Sequence, residues 1–418
     1  MTLKIDFFDP ENQELAVKDI SFGAFLETIK NPEVGFFGLP DSLEHLEDCR
    51  QAYERFQHKE YFVQVGIGGS SLGPELLVSA LGNEKVHFEF INNIDSDEIF
   101  RQLSHIDPKK CLFYIVSKSG GTAETMAGFA IIANLLADLG IGESEWPNYF
   151  VFGTDPVKSD LLELGKEKNV TCLQVPSNIG GRFSVLSSVG LFPAFFAGLN
   201  VSELLFGAKE FKEELLQPDY HKNILVQSCG LILDLYKRGF NQTVLMPYSS
   251  RLRNLSFWFV QIWAESLGKK LDTQGKVVNT GLTPIPAYGA TDQHSQVQLF
   301  MEGPYDKLLI MLNVKERQND FSLKNSLTLP SLEKLSGRSL NQLMQAEYHG
   351  TLQALEGERR PYISITLERL DERSLAQLIL YFECLTTLVG HSLGIDPFNQ
   401  PGVEAGKRYA FEFLAKIN

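Results

Sequence analysis

The sequence lacks any paired-cysteine motif. Its five cysteines, Cys49, Cys111, Cys172, Cys229 and Cys384, are odd in number and scattered, with no CxxC among them. That excludes a disulfide-stapled secreted fold and points to reduced thiols in a cytoplasmic protein. An apolar run of about 18 residues or more is also missing, so no membrane span is expected. Met1 to Pro10 carries Asp6 and Asp9 and no apolar run, which argues against a signal peptide. Positive charge is in short supply: 38 Lys plus Arg face 52 Asp plus Glu, a formal net charge of -14. Such a surface disfavours nucleic acid, which is held largely through basic side chains on phosphates. A small anion remains possible, since a few local cations and helix N-termini suffice to bind one. None of the eight histidines falls in an HxH, HxxxH or HExxH pattern, so no metal and no other cofactor is expected. Low-complexity tracts are missing too.

What is present is a chain long enough for more than one core: 418 residues, 44% hydrophobic and 22% charged. From Tyr61 short apolar runs alternate with helical patterns. Strands are expected at Tyr61–Ile67, Val86–Ile91, Cys111–Val116, Tyr149–Phe152 and Val170–Val175. The segments between them read as helices. Two helices, Val201–Leu216 and His221–Arg238, then lead into a second alternation. Its strands are expected at Thr243–Met246, Lys307–Val314 and Tyr362–Thr366, with helices at Leu252–Leu267 and Leu375–His391. This pattern predicts an α/β fold of two doubly wound domains with mainly parallel sheets, plus a C-terminal helix. The expected divisions are 1–200, 201–395 and 396–418.

Two turns could carry chemistry. In Val65-Gly-Ile-Gly-Gly-Ser-Ser-Leu-Gly-Pro74 a strand runs into glycines and serines before a helix opens. Free amides there suit a phosphate or carboxylate, although a tight turn without ligand explains the same residues. It is neither a dinucleotide fingerprint, because Ser71 takes the third glycine position, nor a P-loop. Ser117-Lys-Ser-Gly-Gly-Thr-Ala-Glu-Thr125 repeats the placement and adds three hydroxyls and the Lys118 charge. Capping by Ser119 or Thr122 is the plain alternative. Two such turns at the carboxyl ends of one sheet can face a single phosphate.

With four further segments, these turns resemble the glucose-6-phosphate isomerase (phosphoglucose isomerase) family, whose halves are sugar isomerase (SIS-type) domains. The four are Asn178–Ser184, Gln261–Lys269, Gly289–Ser295 and Gly394–Lys407, in the family's order. The resemblance implies a phosphate site at Gly69, Ser70, Ser117, Lys118, Ser119 and Thr122. It implies Glu265 as the base, Arg182 as the charge-stabilising cation, and Gln261 and Gln400 as substrate contacts. It further implies His294 for ring opening, reaching a neighbouring subunit's site, and Lys407 beside it. The implied activity is the reversible, metal-independent conversion of glucose 6-phosphate to fructose 6-phosphate through a cis-enediolate, by a homodimer with shared active sites. An isomerase that also takes mannose 6-phosphate, or a sugar-phosphate sensor without activity, are the alternatives. A sensor could dispense with Glu265, His294 and Lys407, and all three are present. The sequence departs from many members at Gly120 and Gly121, at Leu267, and in ending soon after Lys407.

Overall fold

The computed structural model describes residues 3–11, 19–324 and 329–417. Twelve strands follow in chain order: β1 (Leu3–Phe8), β2 (Tyr61–Val65), β3 (His87–Ile91), β4 (Cys111–Val116), β5 (Phe150–Thr154), β6 (Thr171–Gln174), β7 (Gln242–Pro247), β8 (Lys269–Leu271), β9 (Val277–Thr280), β10 (Thr283–Pro286), β11 (Lys307–Glu316) and β12 (Tyr362–Arg369). The first sheet has the order β3-β2-β4-β5-β6 and is parallel throughout. Its central strand β4 reads Cys-Leu-Phe-Tyr-Ile-Val and is buried at every residue, as a strand covered on both faces must be. Strand order reverses between β2 and β4. The crevice outside the carboxyl ends of that pair is where ligands of such sheets bind.

The second sheet runs β1-β12-β11-β7-β10, with β12, β11, β7 and β10 mutually parallel. The order β10-β7-β11-β12 repeats that of β3-β2-β4-β5, so both halves follow one winding scheme. β1 is an exception. It lies antiparallel on β12, from Leu3 opposite Leu367 to Phe8 opposite Tyr362. The expected division at residue 200 groups this strand with the first unit, whereas its hydrogen bonds join it to the second sheet.

Apolar side chains alternate between faces along each strand. Phe62, Leu112, Tyr114 and Val151 of the first sheet share one core with Leu245, Leu308, Ile310 and Ile363 of the second. The opposite faces carry their own smaller clusters, around Phe113 and Met311. The helix Glu372–Ser392 runs through the shared core. It is buried from Ser374 to Gly390 and packs on helices Val201–Leu215, Ile224–Lys237 and Arg253–Leu267. Helix starts are fixed locally: Asp95 accepts from the Asp97 and Glu98 amides, and Asn223 from those of Leu225 and Val226. The helix Arg253–Leu267 leaves β7 of the second sheet and packs on helix Leu72–Leu81 of the first. It thereby delivers its side chains to the edge of the β2/β4 crevice. All five cysteines are free, and four of them are buried. Among the described residues no helix is long and apolar enough to cross a membrane.

Candidate active site

The turn after β2 and a second short turn, Gly181–Phe183, meet backbone to backbone. A Cβ built on Gly69 would stand 2.1 Å from the Gly181 carbonyl oxygen and 2.8 Å from the Arg182 nitrogen. Only glycine allows that approach. Gln64, buried on β2, supports the turn from beneath by donating to the Ser70 carbonyl at 2.8 Å. Arg182 is buried, with 2% of its surface exposed. Its neighbour Phe183 is wedged between Phe36 and Phe398, at centroid distances of 5.0 and 5.4 Å.

The Arg182 guanidinium donates to five acceptors. Nε donates to Ser266 Oγ at 2.8 Å, and Nη2 to the carbonyls of Pro397 at 2.6 Å and Asn399 at 3.3 Å. Nη1 donates to Gln400 Oε1 at 2.9 Å and to Glu265 Oε2 at 3.2 Å. Burial lowers the Arg182 pKa, and the Glu265 carboxylate opposes that shift. The pair is thus a fixed cation against a carboxylate that stays one-third exposed. One turn earlier on the same helix, Gln261 Nε2 donates to Glu265 Oε1 at 3.3 Å, the reach of an i, i+4 pair. The same amide lies over Gly68, while Gln261 Oε1 is buried with no hydrogen-bond partner. A buried acceptor without a donor is costly, and a sugar hydroxyl would satisfy it.

The turn after β4 approaches from the other side of the crevice. Lys118 Nζ donates to the carbonyls of Ser177 at 2.7 Å and Ile179 at 2.9 Å, which ties this turn to the Arg182 segment. Burial lowers the Lys118 pKa. Its ammonium is therefore occupied by main-chain oxygens. Thr122 stands at the N-cap of helix Ala123–Asp138 yet makes no side-chain cap bond; its hydroxyl accepts instead from Ser117 Oγ at 3.1 Å. Capping, the plain alternative for Thr122, is not what its side chain does. Ser119 Oγ accepts from the Gly121 amide at 3.3 Å. Gly120 has φ +71°, and a Cβ there would stand 2.6 Å from Ser159 Oγ and 2.7 Å from the Asp160 nitrogen. The turn packs so closely on the start of helix Asp160–Lys168 that a bulkier residue has no room. Leu267 is fully buried and faces the apolar core.

Gly69, Arg182, Gln261, Glu265 and Gln400 thus form one connected cluster, with the Ser117–Thr122 turn bound to it through Lys118. His294 and Lys407 lie outside that cluster in the single chain. His294 ends the short helix Thr291–His294, is exposed, and has no hydrogen-bond partner among the described residues. Lys407 is exposed on helix Glu404–Leu414 and pairs with Glu404 at 3.1 Å. No motif in the sequence singles out Lys269, which follows helix Arg253–Leu267 almost directly. It is 6% exposed and donates to the carbonyls of Glu265 at 2.5 Å and Asn399 at 2.7 Å. A cation just past the Gly268 cap of an apolar helix is the signal that could have found it.

Comparison with known proteins gives this geometry a context. The sequence model of the phosphoglucose isomerase family matches residues 51–418. A glucose-6-phosphate isomerase from Carboxydothermus hydrogenoformans is 36% identical, covering 100% of this chain and 95% of its own. One from Rubrobacter xylanophilus is 40% identical over 94% of this chain and 92% of its own. Among solved structures, a hypothetical protein from Thermus thermophilus superposes with a TM-score of 0.88 at 36% identity, covering 94% of this chain and 93% of that one. A glucose-6-phosphate isomerase from Chlamydia trachomatis gives a TM-score of 0.77 at 26% identity, covering 89% of this chain and 73% of that one. Sequence and fold agree, and the chain belongs to the phosphoglucose isomerase family.

Proposed function

We propose that this chain interconverts glucose 6-phosphate and fructose 6-phosphate at the β2/β4 crevice, with Glu265 as the proton shuttle. The observation that carries the reading is the Arg182–Glu265 pair at 3.2 Å, set against the Gly69 turn. The phosphate is held by the amides and hydroxyls of the two turns, at Gly69, Ser70, Ser117, Ser119 and Thr122. Lys118 contributes by fixing the second turn to the Arg182 segment. Gln261 and Gln400 orient sugar hydroxyls. Glu265 removes the C2 proton and returns it to C1, as one carboxylate suffices to do. Negative charge developing on the enediolate oxygens lies near a guanidinium that is charged throughout and already in place.

Ring opening moves a proton from the C1 hydroxyl to the ring oxygen, a task for a histidine near neutral pKa. We assign it to His294 of a second copy, with Lys407 nearby, in a homodimer with shared sites. Three features support this: the exposure of His294, the exposure of Lys407, and the exposed apolar face of the C-terminal helix, where Tyr409, Phe411, Phe413 and Leu414 are all more than half exposed. The five free cysteines favour a reducing, cytoplasmic setting.

Mixing two inactive variants tests the whole reading. Glu265→Gln should lower turnover by about 100- to 10,000-fold with the fold intact, and His294→Ala should impair reaction from the cyclic sugar. Heterodimers of the two hold one complete site, so exchange should restore part of the activity. Exchange without recovery would mean that each chain builds its site alone. An active Glu265→Gln would mean that another residue is the base.

A further inference from the structure

Lys269 is an ammonium group buried beside the base with no carboxylate to pair with. Among the described residues it forms no ion pair; both of its hydrogen bonds go to main-chain carbonyls. One carbonyl belongs to Glu265, in the last turn of the helix that carries the base. The other belongs to Asn399, beside Gln400. The Asn399 carbonyl also accepts from Arg182 Nη2, and Arg182 Nη1 bonds both the Gln400 and the Glu265 side chains. These contacts close a ring that runs from Lys269 through Glu265, Arg182 and Asn399 back to Lys269. Asp396 stiffens the segment that carries Asn399 and Gln400, accepting from the Phe398 amide at 2.9 Å and the Asn399 side chain at 2.7 Å.

We propose that Lys269 is a positioning residue of the isomerase. It straps the segment Asp396–Gln400 to the end of helix Arg253–Leu267, and so fixes the Glu265 carboxylate and the Arg182 guanidinium relative to each other. The proposal rests on Glu265 being the base. A buried lysine costs free energy unless its protons are engaged, and here main-chain oxygens from two separate segments engage them. Desolvation, with the neighbouring Arg182 charge, lowers the Lys269 pKa to about 8, against the opposing pull of Asp396 and Glu265. Those three groups are the charged neighbours that act on it. The strap therefore loses its charge on the alkaline side of neutrality, while Arg182 keeps its own.

Three variants, assayed with fructose 6-phosphate between about pH 6 and 9.5, test this. Lys269→Met should lose about 10- to 100-fold in kcat, the scale set by sub-ångström to ångström misplacement of reacting groups. Its KM should change little, because the phosphate turns are untouched. Lys269→Arg should recover much of the neutral-pH activity and move the alkaline limb of kcat upward. Lys269→Met with wild-type kcat, or with its loss confined to KM, overturns the proposal. Should Lys269→Met fail to fold, Lys269→Gln takes its place: a kcat loss of about 10- to 100-fold at unchanged KM supports the strap, and a wild-type kcat overturns it. Glu265→Gln, run alongside, keeps the two readings apart. An active Glu265→Gln overturns the base assignment. A wild-type-like Lys269→Met with an inactive Glu265→Gln overturns only the strap.

Discussion

Gly69 has no room for even a methyl group, since the obstructing atoms are main chain on the facing turn. Gly69→Ala must push the Gly68–Ser70 turn away from Gly181 and Arg182, because neither backbone can rotate aside as a side chain would. We expect a loss of about 100-fold in kcat/KM, with far-ultraviolet circular dichroism preserved. Activity within about threefold of wild type would show that the two turns need not touch. This contact was only half legible in the sequence. The glycines and serines announced a turn that suits an anion, but nothing in Gly66–Ser71 names Gly181 as its neighbour. The same holds for Lys269, whose partners are carbonyls; main-chain oxygens are present at every residue and leave no trace in the sequence. Side-chain partners leave more. Arg182, Glu265 and Gln400 were all singled out from their motifs, and they meet within hydrogen-bonding distance.

Among the described helices longer than about one turn, only Glu404–Leu414 has no buried residue. A chain ending after Gln400 should therefore keep its circular dichroism spectrum and melt within a few degrees of the full chain. It should lose isomerase activity, since Lys407 goes with the helix. Retained turnover would remove Lys407 from the chemistry, and a collapsed spectrum would mean that the helix holds the fold. The first sheet was readable almost strand for strand, because apolar runs such as Cys111–Val116 are bounded by glycine, serine or proline. β10 was not, and the reason is physical. Its sequence is Thr-Pro-Ile-Pro, and proline removes amide donors, so only an edge position pairing through β7 tolerates it. β1 was missed because six residues at a chain end carry no flanking pattern. Its edge position also depends on β12, far along the chain.

For the whole molecule, stability and pH are linked through the central helix Glu372–Ser392. Glu383 is fully buried there, with Oε1 unpartnered, and burial holds its pKa well above the ordinary carboxylate value. A raised pKa in the folded state means that folding favours the protonated form. The contribution of Glu383 is therefore intact below about pH 4.5 and is lost as pH rises above it. His391 acts in the opposite sense. It bonds Thr28 Oγ1 at 2.8 Å, and burial lowers its pKa, so its contribution is lost as pH falls through about 6.5. Glu383→Met should thus raise the apparent melting temperature more at pH 8 than at pH 5. Scanning calorimetry across that range checks it, and an equal gain at both values would mean that Glu383 titrates alike in the folded and unfolded chains. The pairing of β1 with β12 bears on how the molecule is made. Every strand of the first sheet lies between Tyr61 and Gln174, so all of its pairing partners are made while the rest of the chain is still on the ribosome. Leu3–Phe8 emerges before any of it and waits for Tyr362–Arg369, the last strand among the described residues. Throughout that interval the segment has none of the strand hydrogen bonds it makes in the complete chain. A synthesis that stalls before residue 362 leaves Leu3–Phe8 without the strand it pairs with.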